Sequence, residues 1–207
     1  WKQLAKPDCN PYDEYMNRRI LILAVLFGVL ISFGSCVNDD DDSTVSQEWK
    51  TYNEQQVRNA SSSGYTARPS QSGNGSVYCK SITDVVPGDE PSIDRFPIFT
   101  DSVSVRYEGW FFRLDDTKYT FNTTEGDVNG IAVRTRVNST NLVDGFATML
   151  QNMKIDEQTE VCIPYLLGYG TLGSYSSGVQ IIPGYTTLWY KIKLLNIYDE
   201  KKKEWVK

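Results

Sequence analysis

The chain has 207 residues, a net charge of -5, 40% hydrophobic and 13% aromatic residues, and no histidine. Its length and composition suit one core-forming domain, and its acidic balance excludes a broad nucleic-acid footprint, which needs Lys and Arg clustered on one face. The missing histidines remove the commonest general base and neutral metal ligand, and the cysteines at 9, 36, 79 and 162 lack CxxC spacing, so neither metal nor cofactor is expected.

The chain opens on Trp1, and Met16 is the expected start, which makes residues 1–15 an upstream extension. Behind Met16 stand Asn17, Arg18 and Arg19, then an apolar run over residues 20–33, then Gly34 and Ser35 before Cys36. A positive segment, a short apolar segment and small residues before a break describe an export signal over residues 16–36. The apolar run falls short of the roughly 20 residues that a membrane span needs. Phe33-Gly34-Ser35-Cys36 resembles a bacterial lipobox, with Phe33 in place of the usual aliphatic residue. The resemblance implies lipidation at Cys36 and attachment to a membrane, since each buried acyl methylene contributes about 0.8 kcal/mol. The following run Asp39–Asp42 resembles the acidic export tag of some Gram-negative lipoproteins. Together these imply a cell-envelope protein on the outer membrane, facing the periplasm or the surface.

Residues 37–75 read as an acidic and polar tether, with Ser, Gly and Asn clusters at 61–64 and 70–75. Within it, residues 46–59 predict a short helix carrying Trp49 and Tyr52 on one face. From residue 76 to 207 the pattern is that of a folded domain. Val103, Val105 and Tyr107 alternate with Ser104, Arg106 and Glu108; Leu188, Tyr190, Ile192 and Leu194 alternate with Trp189, Lys191 and Lys193; Val161 and Ile163 flank Cys162. These are strands buried on one face, as in antiparallel sheets. Residues 142–153 break the alternation: Phe146, Met149, Leu150 and Met153 keep helical spacing, with Ser139 and Asn141 as expected caps. One helix in a strand-rich chain is best buried across the apolar face of a twisted antiparallel sheet, giving an α+β fold.

Here the sequence resembles the FKBP-type peptidyl-prolyl isomerases. The segments are Val103 to Gly109, then Leu142-Val143-Asp144-Gly145-Phe146, then Ile163-Pro164 through Leu167-Gly168-Tyr169-Gly170, then Ile181-Ile182-Pro183 and Thr187-Leu188. They follow the family's order over some 120 residues (about residues 76–199), and the set is far more specific than any one piece. The resemblance implies a sheet wrapped around one central helix, and a proline pocket that twists an X–Pro bond without nucleophile or proton transfer. It places Tyr107, Phe121, Phe146, Tyr169 and Tyr190 in the pocket wall, Asn122 beside them, and Leu142, Val143, Ile181 and Ile182 against the substrate. Tyr169 would offer its hydroxyl to a substrate carbonyl, Val143 its backbone N–H, and Ile182 would close one side. The implied partners are proline-containing peptides or unfolded exported proteins, with a macrolide of the tacrolimus type as inhibitor. Three positions depart from the family: Asn122 replaces a carboxylate, Phe146 stands where Trp is commonest, and the stretch 172–180 is longer than usual.

Several features carry less. Gly168 to Gly173 formally matches GxGxxG, but a loop rather than a helix is expected after it, and no βαβ pattern surrounds it. Asp115-Asp116 and Asp89-Glu90 sit among turn residues and read as solvated loops, and Lys201–Lys203 as a solvated end. Cys79 shares a strand face with Val77 and Cys162 with Glu160, so their side chains are expected to point apart and not to bridge. Two other readings stand beside the isomerase. One is a non-enzymatic peptide- or protein-binding lipoprotein with a degenerate pocket. The other is an adhesive β-sandwich, against which the central helix argues.

Overall fold

Ser46 starts the first element, because its hydroxyl accepts the Trp49 N–H at 3.2 Å and caps helix α1 (Gln47–Ser62). The computed structural model describes residues 45–82, 95–124, 130–199 and 203–206. The export signal with Cys36, the upstream extension, the run Asp39–Asp42, the pair Asp89-Glu90, and Lys201 and Lys202 lie outside the described residues.

After α1 come β1 (Thr66–Pro69), β2 (Ser76–Ser81), β3 (Ser102–Phe112), β4 (Lys118–Thr123), β5 (Val133–Arg136), helix α2 (Asp144–Leu150) and β6 (Gln158–Ile163). A 3-10 turn (Tyr165–Leu167) leads to the hairpin β7 (Ser174–Ser176) and β8 (Val179–Ile182), then β9 (Leu188–Asp199) and β10 (Glu204–Val206). The main antiparallel sheet runs β1-β2-β6-β9-β3-β4, with β5 also on β3 and β10 on β9. Its centre is the β3–β9 pair, where Val105 lies opposite Leu194, Tyr107 opposite Ile192 and Gly109 opposite Tyr190. The alternation in the sequence is the alternation of faces: Val103, Val105, Ile192, Leu194 and Val161 are fully buried on the face that meets α2. This is the expected α+β architecture, and the short helix expected over residues 46–59 is present as α1.

Helix α2 is shorter than the periodicity predicts and is capped differently. It spans Asp144–Leu150, and Met153 is buried from a following turn, its N–H donating to the Leu150 carbonyl at 3.3 Å. Neither Ser139 nor Asn141 is the N-cap; that position is Val143, which makes no side-chain capping bond. Ser139 instead accepts the Asn141 N–H at 3.3 Å, forming its own local turn. Asp144, in the first helical turn, accepts from the hydroxyls of Ser70 (2.8 Å) and Ser72.

That contact belongs to a correction of the tether. The described residues from 45 onward form one compact unit, and the expected boundary at residue 76 does not divide it. Residues 70–75, read as linker, form the turn between β1 and β2, pinned to α2 through Asp144. Helix α1 docks through buried groups: Trp49 Nε1 donates to the Gly184 carbonyl at 3.0 Å and its ring meets Phe111 edge-on at 6.0 Å. Asn53, fully buried, accepts the Thr187 N–H at 2.8 Å, and its own amide donates to the Trp49 carbonyl at 2.9 Å. A helix too marginal to persist alone is thereby fixed to the strand that enters the sheet centre.

Cys79 lies opposite Val161 while Tyr78 lies opposite Cys162, so the two cysteines fall on opposite faces and both are free thiols.

Candidate functional site

The aromatic residues that the sequence scatters over more than 80 positions meet on one face of the sheet. Tyr107 comes from β3, Phe121 from β4, Phe146 from α2, Tyr169 from the loop after the 3-10 turn, and Tyr190 from β9. Tyr190 is the hub: its ring centroid is 5.1 Å from Phe146, 5.6 Å from Phe121 and 6.2 Å from Tyr107, each in edge-to-face geometry. Tyr107 also meets Phe146 at 5.4 Å, and Phe121 meets Tyr169 at 6.5 Å. These are the favourable arrangements for ring quadrupoles. Phe146 and Tyr190 are buried and form the floor; Tyr107, Phe121 and Tyr169 are half-buried and form the rim.

Backbone irregularities aim these rings. Between β3 and β4 the register slips after Gly109, so that Asn122 lies opposite Gly109 and Thr120 opposite Trp110. Phe121 is the extra residue of this bulge, a device that turns a side chain out of the regular alternation. Gly109 itself leaves room for the floor, since a Cβ there would lie 2.5 Å from Tyr190 Cε1. Gly145 does the same for α2, where a Cβ would come within 2.3 Å of Ile163 Cγ2. Thr124 holds Tyr107 by its backbone, accepting the Tyr107 N–H through Oγ1 at 3.2 Å and donating its N–H to the Tyr107 carbonyl at 2.9 Å.

The polar tips fall in two pairs, with the Tyr190 hydroxyl beside that of Tyr169 and the Asn122 amide beside the Tyr107 hydroxyl. Burial raises the pKa of Tyr190 well above the ordinary phenol range, with the neighbouring Tyr169 and Tyr107 adding to it. Burial also raises Tyr107 and Tyr169, opposed by the polar neighbours Asn122 and Tyr190 respectively. All three hydroxyls therefore stay neutral near pH 7 and keep their protons to donate.

The other expected residues divide. Leu142 and Val143 pack partly buried against the core at the N-terminus of α2. The Val143 N–H, standing before the first helical turn, has no acceptor within the helix. Ile182 is buried in the core, but Ile181, its neighbour on β8, takes the opposite face and is exposed. The long stretch 172–180 is ordered as the β7–β8 hairpin, closed by Ser177 and Gly178, both at positive φ as a type I′ turn requires. The hairpin presents Leu172, Tyr175 and Val179 to solvent. Sequence reasoning missed Gly109, Phe111 and Thr124. Phe111 stacks beneath Phe121 at 6.4 Å. A glycine inside a strand does signal close approach of another group; Phe111 and Thr124 carry no such mark.

Residues 94–195 match the family model described as FKBP-type peptidyl-prolyl cis-trans isomerase. Among solved structures, the chain is similar to a peptidyl-prolyl cis-trans isomerase from Pseudomonas syringae pv. tomato, with a TM-score of 0.53 at 20% identity over 74% of this chain and 96% of that one. It also aligns with FkpA from Escherichia coli, with a TM-score of 0.49 at 17% identity over 93% of this chain and 75% of that one. No curated protein sequence matches the chain.

Proposed function

Because residues 94–195 belong to the FKBP-type peptidyl-prolyl cis-trans isomerase family, we propose that this chain speeds X–Pro rotation in the aromatic pocket around Tyr190. The observation that carries this reading is the five-ring cluster, with Tyr190 and Phe146 as a buried floor under the half-open rim of Tyr107, Phe121 and Tyr169.

The barrier to rotation is about 18–20 kcal/mol, and an X–Pro bond turns over unaided in tens to hundreds of seconds. The planar amide is stabilised by charge-separating resonance that water solvates. A proline seated on Phe146 and Tyr190 exchanges that solvation for ring faces, which favours the less polar twisted amide. The Tyr169 hydroxyl, kept protonated by burial, donates to the substrate carbonyl, and the Val143 N–H supplies a second donor. Ile182 closes one side. Such chemistry needs no base, in keeping with a chain that has no histidine.

The clients in this reading are unfolded exported proteins, and the domain is held on the outer membrane through a lipid at Cys36. Support for the location comes from residues 16–36 and the acidic run behind them. One observation favours a second reading, a binding module without turnover: a neutral Asn122 stands beside Tyr107 where the family has a carboxylate.

The test is a prolyl-isomerisation assay on the full chain in non-ionic detergent, with and without tacrolimus, beside Tyr169→Phe. Loss of one neutral hydrogen bond in the transition state predicts a fall of about 3- to 10-fold. Acceleration blocked by the drug and weakened by the variant supports the enzyme. Peptide binding without acceleration supports the binding module.

A further inference from the structure

The face of the sheet turned away from the aromatic pocket carries its charges in rows, and two adjacent rows are built differently. In one, Lys191 of β9 lies between Glu108 of β3 and Glu160 of β6, a cation flanked by two carboxylates. Two residues further along β9, Lys193 lies between Gln158 and Arg106. Like charges directly opposite in an antiparallel pair are destabilising, so Arg106 against Lys193 is an arrangement that folding alone does not favour. Next to them, on β5, stands Arg134, opposite Ser104.

These three cations line a groove of about 480 Å³ whose single carboxylate among the described residues is Asp156. None of the three is in an ion pair among the described residues. The Arg106 Nε is buried with no hydrogen-bond acceptor among the described residues. A buried donor without an acceptor is destabilising, more so when it is charged. Arg134 is held over the Trp205 ring, its Cζ 4.9 Å from the centroid, which orients the guanidinium with its N–H edge directed away from the ring face. Ser104 and Asn196 add a hydroxyl and an amide to the lining. In a chain of net charge -5, three cations and one anion among the described residues of the groove are a local reversal of sign.

We propose that this groove binds a phosphate group, gripped by Arg106 and Arg134 with Lys193 beside them. Guanidinium forks match phosphate oxygens in pairs. The donors arrive from β3, β5 and β9, and this spread of directions suits a tetrahedral oxyanion with more than two oxygens better than a planar carboxylate. Bound phosphate supplies the acceptor that Arg106 Nε lacks and removes the repulsion across β3 and β9. The same group arises free in solution or on a lipid headgroup.

The test is NMR titration of the full chain in non-ionic micelles, reading the Arg106 Nε–H and Trp205 indole signals. One arm adds inorganic phosphate; the other adds phosphatidylglycerol to the micelles, with phosphatidylcholine as control. Saturable shifts with inorganic phosphate assign a soluble ligand, and saturation with phosphatidylglycerol alone assigns a headgroup. Arg106→Gln with Arg134→Gln weakens either by about tenfold or more, while Lys191→Gln leaves it unchanged. Lys193→Gln weakens binding yet keeps or raises Tm, by about 1–3 °C, since it removes a like-charge contact. Linear shifts in both arms, or equal saturation in the double variant, overturn the proposal.

Discussion

Gly109→Ala tests the packing of the pocket with a single methyl group. A Cβ at residue 109 would lie 2.5 Å from Tyr190 Cε1, 2.9 Å from Cδ1 and 3.0 Å from Cζ. Ordinary contact between carbons is about 3.5–4.0 Å, so the ring must retreat by roughly 1 Å. It has nowhere to go without moving Phe146, Phe121 or Tyr107, all within 6.2 Å centroid to centroid. Overpacking of this kind costs about 1–3 kcal/mol in a close-packed core. The catalytic loss is larger, because a misplacement of about 1 Å at a reacting site can lower the rate about 100-fold. Urea unfolding gives the stability term, and the prolyl-isomerisation assay gives kcat/KM. A double variant sharpens the test: Gly109→Ala with Tyr190→Leu removes the ring that collides, so its stability loss is smaller than the sum of the two single losses. Wild-type stability and activity in Gly109→Ala, or strict additivity in the pair, would refute this account of the pocket floor.

Asn53→Ala leaves the buried Thr187 N–H without its acceptor, and urea unfolding is expected to show a loss of about 1–3 kcal/mol. Asn122→Asp replaces the amide beside Tyr107 with a charged acceptor for the Tyr107 hydroxyl; its charge-assisted bond is expected to raise kcat/KM several-fold in the same assay. The pH dependence follows from the raised pKa values of Tyr107, Tyr169 and Tyr190. Unfolded tyrosines lose protons near pH ~10 while the folded ones retain theirs. The unfolded state then binds fewer protons, so these groups contribute stability in full below that pH and lose it progressively above. Urea midpoints should be insensitive to these tyrosines from pH 7 to 9, a window chosen ~1 unit below the free phenol, and fall beyond pH ~10.

Much of the sheet was legible because alternation reports burial directly. In β9, Leu188, Tyr190, Ile192 and Leu194 are buried as the pattern requires, and the helical spacing of Phe146, Met149 and Leu150 marks the face of α2 that the sheet covers. The pattern fails where the ladder slips. The bulge at Gly109 and Trp110 turns Phe121 toward Tyr190, and no periodicity in residues 118–123 announces it; only the family resemblance placed that ring. Docking of α1 was hidden for another reason. Its interface relies on a buried asparagine and on Trp49 bonded to a distant carbonyl, and a polar residue that will be buried looks in sequence like one that will be solvated. Ile181 and Ile182 look equivalent in sequence, but β8 turns only Ile182 into the core. Ser139 does not cap α2, because its hydroxyl serves a local turn, which competes with capping for the same group.

The most direct measurement is exchange NMR on a Leu-Pro tetrapeptide, following cis and trans resonances with catalytic amounts of the full chain in detergent micelles. The account predicts exchange cross-peaks that appear with the wild type and fade with Gly109→Ala, together with peptide-induced shifts at Tyr107, Phe146, Tyr169 and Tyr190. A folded wild-type chain that leaves cis and trans peptide unexchanged, with no shifts at those residues, would contradict it.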